Sequence, residues 1–179
     1  MNEKQTLTIY SIRATCFWLI STMLLIIADQ VTKKLAVVNL KNQSGISIIP
    51  DVLELNYLEN KGMAFGMLQG KQILFLILSI AFCIFLFYLL IRIPKTPYYR
   101  PLMVIGAFLG AGALGNFIDR LSHGYVIDFI YFSLIDFPVF NLADIFVVCG
   151  GIALVLVVLF RYKDEDFEFI LPKHINKKG

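Results

Sequence analysis

Asp144 lies near the start of FPVFNLADIFVVCGGIALVLVVLF, residues 137–160, an apolar run long enough to cross a bilayer. An aspartate ionised inside hydrocarbon costs roughly 2.5–3.5 kcal/mol on an insertion scale, so it needs a partner, a water-filled cavity or a chemical task. Asp128, in YVIDFIYF, sits in a setting almost as apolar, and neither residue has a basic side chain within a helical turn. Two carboxylates brought together at low dielectric cannot both ionise, so one is protonated near neutral pH and the pair shares that proton. This is the starting state of aspartyl proteolysis. The ionised member takes a proton from water as the water attacks the scissile carbonyl, and the protonated member donates to the carbonyl oxygen. Spacing along the chain leaves open whether the two side chains meet.

Other polar residues fall near the same ends of apolar runs. Asp29 and Lys33 are four apart with the acid first, as a favourable helical pair requires. Asn116, Asp119 and Arg120 share a helix face by three-and-four spacing. Asn141, three residues before Asp144, suits a helix N-cap. Simpler roles compete: Asp29 with Lys33, and Asp119 with Arg120, also read as interfacial ion pairs closing helices. His123 in LSHGY reads as a loop residue, and Asp136 before Phe137-Pro138 as a turn residue. With no Gly-x-Ser-x-Gly or His-Glu-x-x-His pattern and two histidines in all, the serine and zinc hydrolase toolkits are missing, and no metal or cofactor is expected. Cys16, Cys83 and Cys149 lie in separate apolar runs without ligand-type neighbours and read as buried small hydrophobes.

The elements that must position these groups follow from composition. The 179 residues are 58% hydrophobic and only 16% charged, with a mean hydropathy of +0.75, whereas soluble domains carry about 25% charged residues. Four runs, 14–33, 72–91, 101–121 and 140–160, reach the span length of about 20 residues. The expected fold is an all-α membrane protein, a single integral domain of four transmembrane helices. The first run follows Lys4 and Arg13 as a signal peptide would, but no small-x-small cleavage site closes it, so it reads as a retained helix. The long connection that follows exceeds the few residues usual between packed helices and should fold. Ile46 to Ile49, the alternation at Val52, Leu53, Leu55 and Tyr57, and the punctuation of Pro50, Gly62 and Gly66 predict a small extracytoplasmic β-hairpin or half-barrel over about 44–70.

The net charge of +3 is scattered around membrane ends and carries no nucleic-acid signature. Lys4 and Arg13, then Arg92, Lys95 and Arg100, then Arg161, Lys163, Lys173, Lys177 and Lys178 fall on one side, which places both termini in the cytoplasm; Lys34, Lys41, Lys61 and Lys71 lie across from them. Ala107, Ala111 and Gly115, with Gly106 and Gly110, form a helix-packing face, and Gly150 and Gly151 serve packing or a bend. The tail after Arg161 reads as a frayed helix end. An ion-conducting protein would carry polar residues through to the inner leaflet, which these runs do not. An assembly factor held by the small-residue face would not need Asp144. The Gly-x-Gly-Asp signature of presenilin-like proteases is missing.

Five ordered blocks now stand out: Asp29-Gln30-x-x-Lys33, Asn60-x-Gly62-x-Ala64-Phe65, Gly115-Asn116-x-x-Asp119-Arg120, Val126-x-Asp128-Phe129 and Asn141-x-Ala143-Asp144. Together they resemble lipoprotein signal peptidase, the bacterial type II signal peptidase, from Trp18 to about Phe160. Met63 fills a variable slot, and the tail carries no motif of the family. The resemblance implies an intramembrane aspartyl endopeptidase of the bacterial cytoplasmic membrane with Asp128 and Asp144 as the dyad. It implies that Asn60, Asn116, Arg120 and Asn141 line or brace the site and that Asp29 and Lys33 support it. The implied substrate is a diacylglyceryl-modified prolipoprotein cut just before its lipidated cysteine. Membrane lipid is an implied partner, cyclic peptides such as globomycin are implied inhibitors, and the chain is expected to be a monomer without nucleic-acid partners.

Overall fold

The computed structural model describes residues 3–62 and 71–170. Met63, Ala64, Phe65 and Gly66 of the expected hairpin or half-barrel, and Lys173, Lys177 and Lys178 of the tail, lie outside the described residues. Four long helices carry the bilayer-compatible stretches Ser11–Leu40, Ile73–Arg92, Pro97–His123 and Leu142–Phe160. They belong to α1 (Glu3–Leu40), α2 (Gln72–Arg92), α3 (Arg100–His123) and α4 (Leu142–Phe160). Three strands, β1 (Ile46–Ile49), β2 (Leu53–Asn60) and β3 (Val126–Tyr131), form one antiparallel sheet in the order β1-β2-β3.

Three features differ from expectation, each for a reason of packing or strand pairing. Rather than ending at Lys33, α1 continues to Leu40, because Ala36 and Leu40 recur at four-residue spacing and bury against Ile127 and Phe129 of β3. The sheet is also more than a hairpin. The segment around Asp128 is its third strand rather than a loop, paired so that Leu58 faces Asp128 and Asn60 faces Val126. At the other end of the bundle the described part of the tail, as far as Ile170, is not frayed: Tyr162 is buried, and a 3-10 stretch, Asp164–Ile170, folds back beneath α2 and α3. There Tyr98 and Tyr99 donate to the Asp166 side chain and carbonyl, and Arg92 donates to the Phe169 carbonyl.

The core of the bundle is α3, which meets α1, α2 and α4. Its small residues permit this. A β-carbon on Gly112 would lie 2.5 Å from the Ala143 carbonyl oxygen, and one on Gly115 would strike the Asp29 carboxylate, so both positions admit close backbone approach. Gly150 packs tightly against Phe108 and Leu109, while Gly151 faces open space. Cys16 and Cys149 are exposed, Cys149 on the wall of the cavity described below, and Cys83 is half-buried, which corrects their reading as buried. In a bilayer lipid itself supplies the apolar neighbour, which is why so many large apolar side chains of α1, α2 and α4 face outward.

Candidate active site

Local rules bring the polar residues to one place. Gly124, in the left-handed conformation at φ 77°, ends α3 and turns the chain back into β3. The Phe140 carbonyl then accepts from the backbone N–H groups of Phe129 and Ile130, and Phe140 N–H donates back to Ile130. This bridge clamps the residue before Asn141 to a point two residues after Asp128. α4 opens with a capping box: the Asn141 side chain accepts from Asp144 N–H at 3.1 Å, and the Asp144 carboxylate accepts from Asn141 N–H at 3.1 Å.

The expected N-cap is therefore real, and Asn141 does more than cap. Its side-chain nitrogen donates to Asp128 at 2.6 Å and to the Asn116 oxygen at 3.1 Å. Asn116 in turn donates to Asp144 at 2.8 Å, so two amides link the two carboxylates. Asn60, at the end of β2, donates to the other oxygen of Asp128 at 2.8 Å. Each of these three amides is oriented by a group that can only donate. Gly62 N–H points at the Asn60 oxygen, Asp144 N–H at the Asn141 oxygen and the Lys33 ammonium at the Asn116 oxygen. Every amide must then present its NH2 to a carboxylate.

Behind this layer lies a buried ionic cluster. Lys33 is 1% exposed and lies 3.0 Å from Asp29 and 2.9 Å from Asp119, which are 0% and 1% exposed. The expected Asp29–Lys33 pair is thus present, but as an interior group rather than an interfacial one. Asp119 pairs with Lys33 across helices and not with its neighbour Arg120. Asp29 also accepts from Ala143 N–H at 3.0 Å, an anion at the N-terminus of α4, and Asp119 accepts from Ile127 N–H at 3.1 Å. Gln30 donates to Asp29, Asp119 and the Gly115 carbonyl at 3.0–3.2 Å. In the sequence Gln30 stands out only as part of a motif, since a neutral amide in an apolar run gives no stronger signal.

Asp128 and Asp144 open onto one cavity of about 490 Å³. Asn60, Asn116 and Arg120 line its polar end, and Phe137, Pro138, Phe140, Ile145 and Val148 line the remainder. Arg120 makes no ion pair among the described residues; its guanidinium lies over the Phe75 ring, 5.0 Å from the centroid. All eight residues singled out by sequence therefore belong to one connected arrangement: Asn60, Asn116, Arg120, Asp128 and Asp144 at the cavity, the fully buried Asn141 bridging them, and Asp29 with Lys33 behind. Asp136 occupies a left-handed turn, as its simpler reading expects, whereas His123, expected in a loop, is the last residue of α3, beside Tyr125.

Asp128 is 2% exposed, and burial pushes its carboxyl up to about 7. The Asp144 charge adds to the rise, while the Asn60 and Asn141 donors and the Lys33 charge oppose it. The native state thus keeps a proton that an unfolded Asp releases near pH ~4. Between these values folding takes up a proton, so stability falls as pH rises from about 4 to about 7 and levels off above. Unfolding midpoints of detergent-solubilised protein should follow this slope, and Asp128→Asn should flatten it. An unchanged slope in that variant would assign the titration to another group.

Comparison with known proteins agrees with this arrangement over most of the chain. A profile described as Signal peptidase (SPase) II matches residues 21–160. The lipoprotein signal peptidase of Clostridioides difficile (strain 630) is 42% identical over 144 residues, 80% of this chain and 95% of that protein. The lipoprotein signal peptidase of Caldanaerobacter subterraneus subsp. tengcongensis is 42% identical over 134 residues, 74% and 89% of the two chains. A bacterial membrane enzyme solved by the in meso method at 1.9 Å shares the fold with a TM-score of 0.71 at 34% identity, over 82% of this chain and 94% of its own. The matched residues 21–160 contain every site residue, from Asp29 on α1 through β2, α3 and β3 to Asp144 on α4. The chain accordingly belongs to the signal peptidase II family and is a multi-pass bacterial membrane protease that processes lipoproteins.

Proposed function

We propose that this protease is of the aspartyl type, with Asp128 and Asp144 as the catalytic pair. The observation that carries the proposal is that both carboxylates open onto one cavity while sharing Asn141 and Asn116 as a bridge. The raised proton affinity of Asp128 suits the member that is protonated at rest, leaving Asp144 as the base. Asp144 deprotonates a water as the water attacks the scissile carbonyl carbon, and Asp128 donates its proton to the carbonyl oxygen. Collapse of the tetrahedral species then breaks the C–N bond: the leaving amine takes the proton held by Asp144, and a hydroxyl of the tetrahedral species returns a proton to Asp128. Asn60, Asn116 and Asn141 hold the carboxylates, Arg120 keeps a positive charge at the cavity rim, and the Lys33–Asp29 pair stiffens the support.

The substrate in this proposal is a prolipoprotein bearing diacylglyceryl on its lipobox cysteine, cut on the N-terminal side of that cysteine. The lipid holds the bond at membrane depth, and the apolar cavity wall receives the adjoining side chains. Asp144 is the third residue of α4, roughly 3 Å along the helix at 1.5 Å per residue, so its carboxylate lies within the first turn of the span. Cyclic peptides of the globomycin type occupy the same cavity as inhibitors, one chain suffices for activity, and the basic end with both termini faces the cytoplasm. The test is a lipobox peptide with and without diacylglyceryl, its products identified by mass. The expected result is a single cut before the modified cysteine and little turnover of the unmodified peptide. Equal turnover of both, or a cut elsewhere, rejects the assignment.

A further inference from the structure

The buried ionic cluster holds the backbone just ahead of each cavity aspartate. Asp29 accepts through Oδ1 from Ala143 N–H at 3.0 Å, and Ala143 immediately precedes Asp144. Asp119 accepts through Oδ2 from Ile127 N–H at 3.1 Å, and Ile127 immediately precedes Asp128. The distance between these two buried acids therefore governs the distance between the two segments they hold. Asp29 and Asp119 are like charges with the single ammonium of Lys33 between them. Gln30 completes the tie: its Nε2 donates to Asp29 Oδ2 at 3.1 Å and to Asp119 Oδ1 at 3.0 Å. The same nitrogen donates to the Gly115 carbonyl, one turn before Asp119 on α3, at 3.2 Å.

We propose that Gln30 is a positioning residue for the peptidase reaction: by tying Asp29 to Asp119 it fixes the spacing between the Ile127–Asp128 and Ala143–Asp144 segments. The assignment rests on Asp128 and Asp144 being the catalytic pair. Lys33 holds both acids close, but an ammonium is a point charge on a flexible stem and sets no angle between them. On Asp119 the Lys33 ammonium and the Ile127 N–H meet the same oxygen, so the rotation of that carboxylate is fixed by what its other oxygen meets, the Gln30 amide. Without that amide the acids draw apart under their own repulsion and take the two segments with them. The catalytic pair then shares its proton across a wider gap, and the attacking water is misaligned.

The experiment measures kcat, KM and the pH profile of kcat for the full chain on a diacylglyceryl-modified lipobox peptide. Gln30→Met keeps the length of the side chain and removes its amide. It is expected to lower kcat by about 10²-fold, the cost of a misplacement of about 1 Å. KM should stay within about twofold, because the cavity wall is untouched. The bell-shaped profile should narrow by about 0.3–0.4 pH unit, the coupling that two charges about 5–6 Å apart lose on separating by about 1 Å at an effective dielectric constant of about 20. The cations that act on the pair, Arg120 on α3 and Lys33 on α1, are the same in the variant. Gln30→Asn, one carbon shorter, should narrow the profile by less and serves if Gln30→Met does not fold. Thr22→Val controls for lost stability alone: its buried hydroxyl, also on α1, donates to the Trp18 carbonyl of the same helix, and the profile should keep its width. An unchanged width in the Gln30 variants, or equal narrowing in Thr22→Val, overturns the proposal. Asp128→Asn or Asp144→Asn with near wild-type turnover rejects the catalytic pair and this proposal with it, whereas inactive aspartate variants beside an unaltered Gln30→Met reject the tie alone.

Discussion

Asp144→Asn and Asp128→Asn are each expected to lower cleavage of a diacylglyceryl-modified lipobox substrate by roughly 10²- to 10⁴-fold, the share that a positioned acid or base contributes. Asparagine keeps size and polarity but can neither accept the proton of water nor supply one to the carbonyl. The substitutions are not silent structurally. Both oxygens of Asp128 and both of Asp144 accept hydrogen bonds from oriented donors, so an introduced NH2 must face a donor, at a cost of about 1–3 kcal/mol. Turnover therefore has to be read beside the unfolding midpoint and beside binding of an uncleaved lipobox peptide. A variant that folds, binds the peptide and loses turnover supports the dyad; either variant keeping near wild-type turnover removes its residue from the mechanism.

Lys33→Met is the second large effect. Methionine matches the length of the lysine stem but leaves Asp29 and Asp119 facing one another in the interior, a loss of about 3–5 kcal/mol when one partner of a buried ionic group is removed. The same change frees the Asn116 amide to turn, because the donor that fixes its oxygen has gone. Asp144 then loses a charge-assisted hydrogen bond, equivalent to about 10- to 100-fold in rate. The combination Lys33→Met with Asp29→Asn and Asp119→Asn should recover much of the stability but little of the rate, since Asn116 remains unfixed. An unfolding free energy for Lys33→Met within about 1 kcal/mol of wild type contradicts the role given to the cluster.

The helices were legible because a bilayer demands long apolar runs, and the carboxylates were legible because such runs tolerate few charges. What escaped depends on partners far apart in the chain. β3 holds an aspartate amid six residues and pairs with a strand some seventy residues earlier, which periodicity within a short window does not register. Spacing proposed Arg120 for Asp119, since it sees neighbours on one helix, but Lys33 reaches across from α1 and is favoured by burial. Gln30 carries no charge to mark it, yet it meets three groups from two helices. The tail looked too charged to pack; its aromatic residues Tyr162, Phe167 and Phe169 join Tyr99 and outweigh the acids, which stay at the surface.

The bridge between Ile130 and Phe140 has a consequence for divergence within the family. It closes the intervening residues into a loop whose two ends are fixed independently of what lies between them. Asp128 and Asn141 flank the closure outside the loop, whereas Phe137, Pro138 and Val139, which form part of the cavity wall, belong to it. Changes in the length or side chains of that loop can therefore remodel what the cavity accepts while the spacing of the acids is preserved. Selectivity and chemistry are encoded in adjacent stretches of the same chain that can mutate separately.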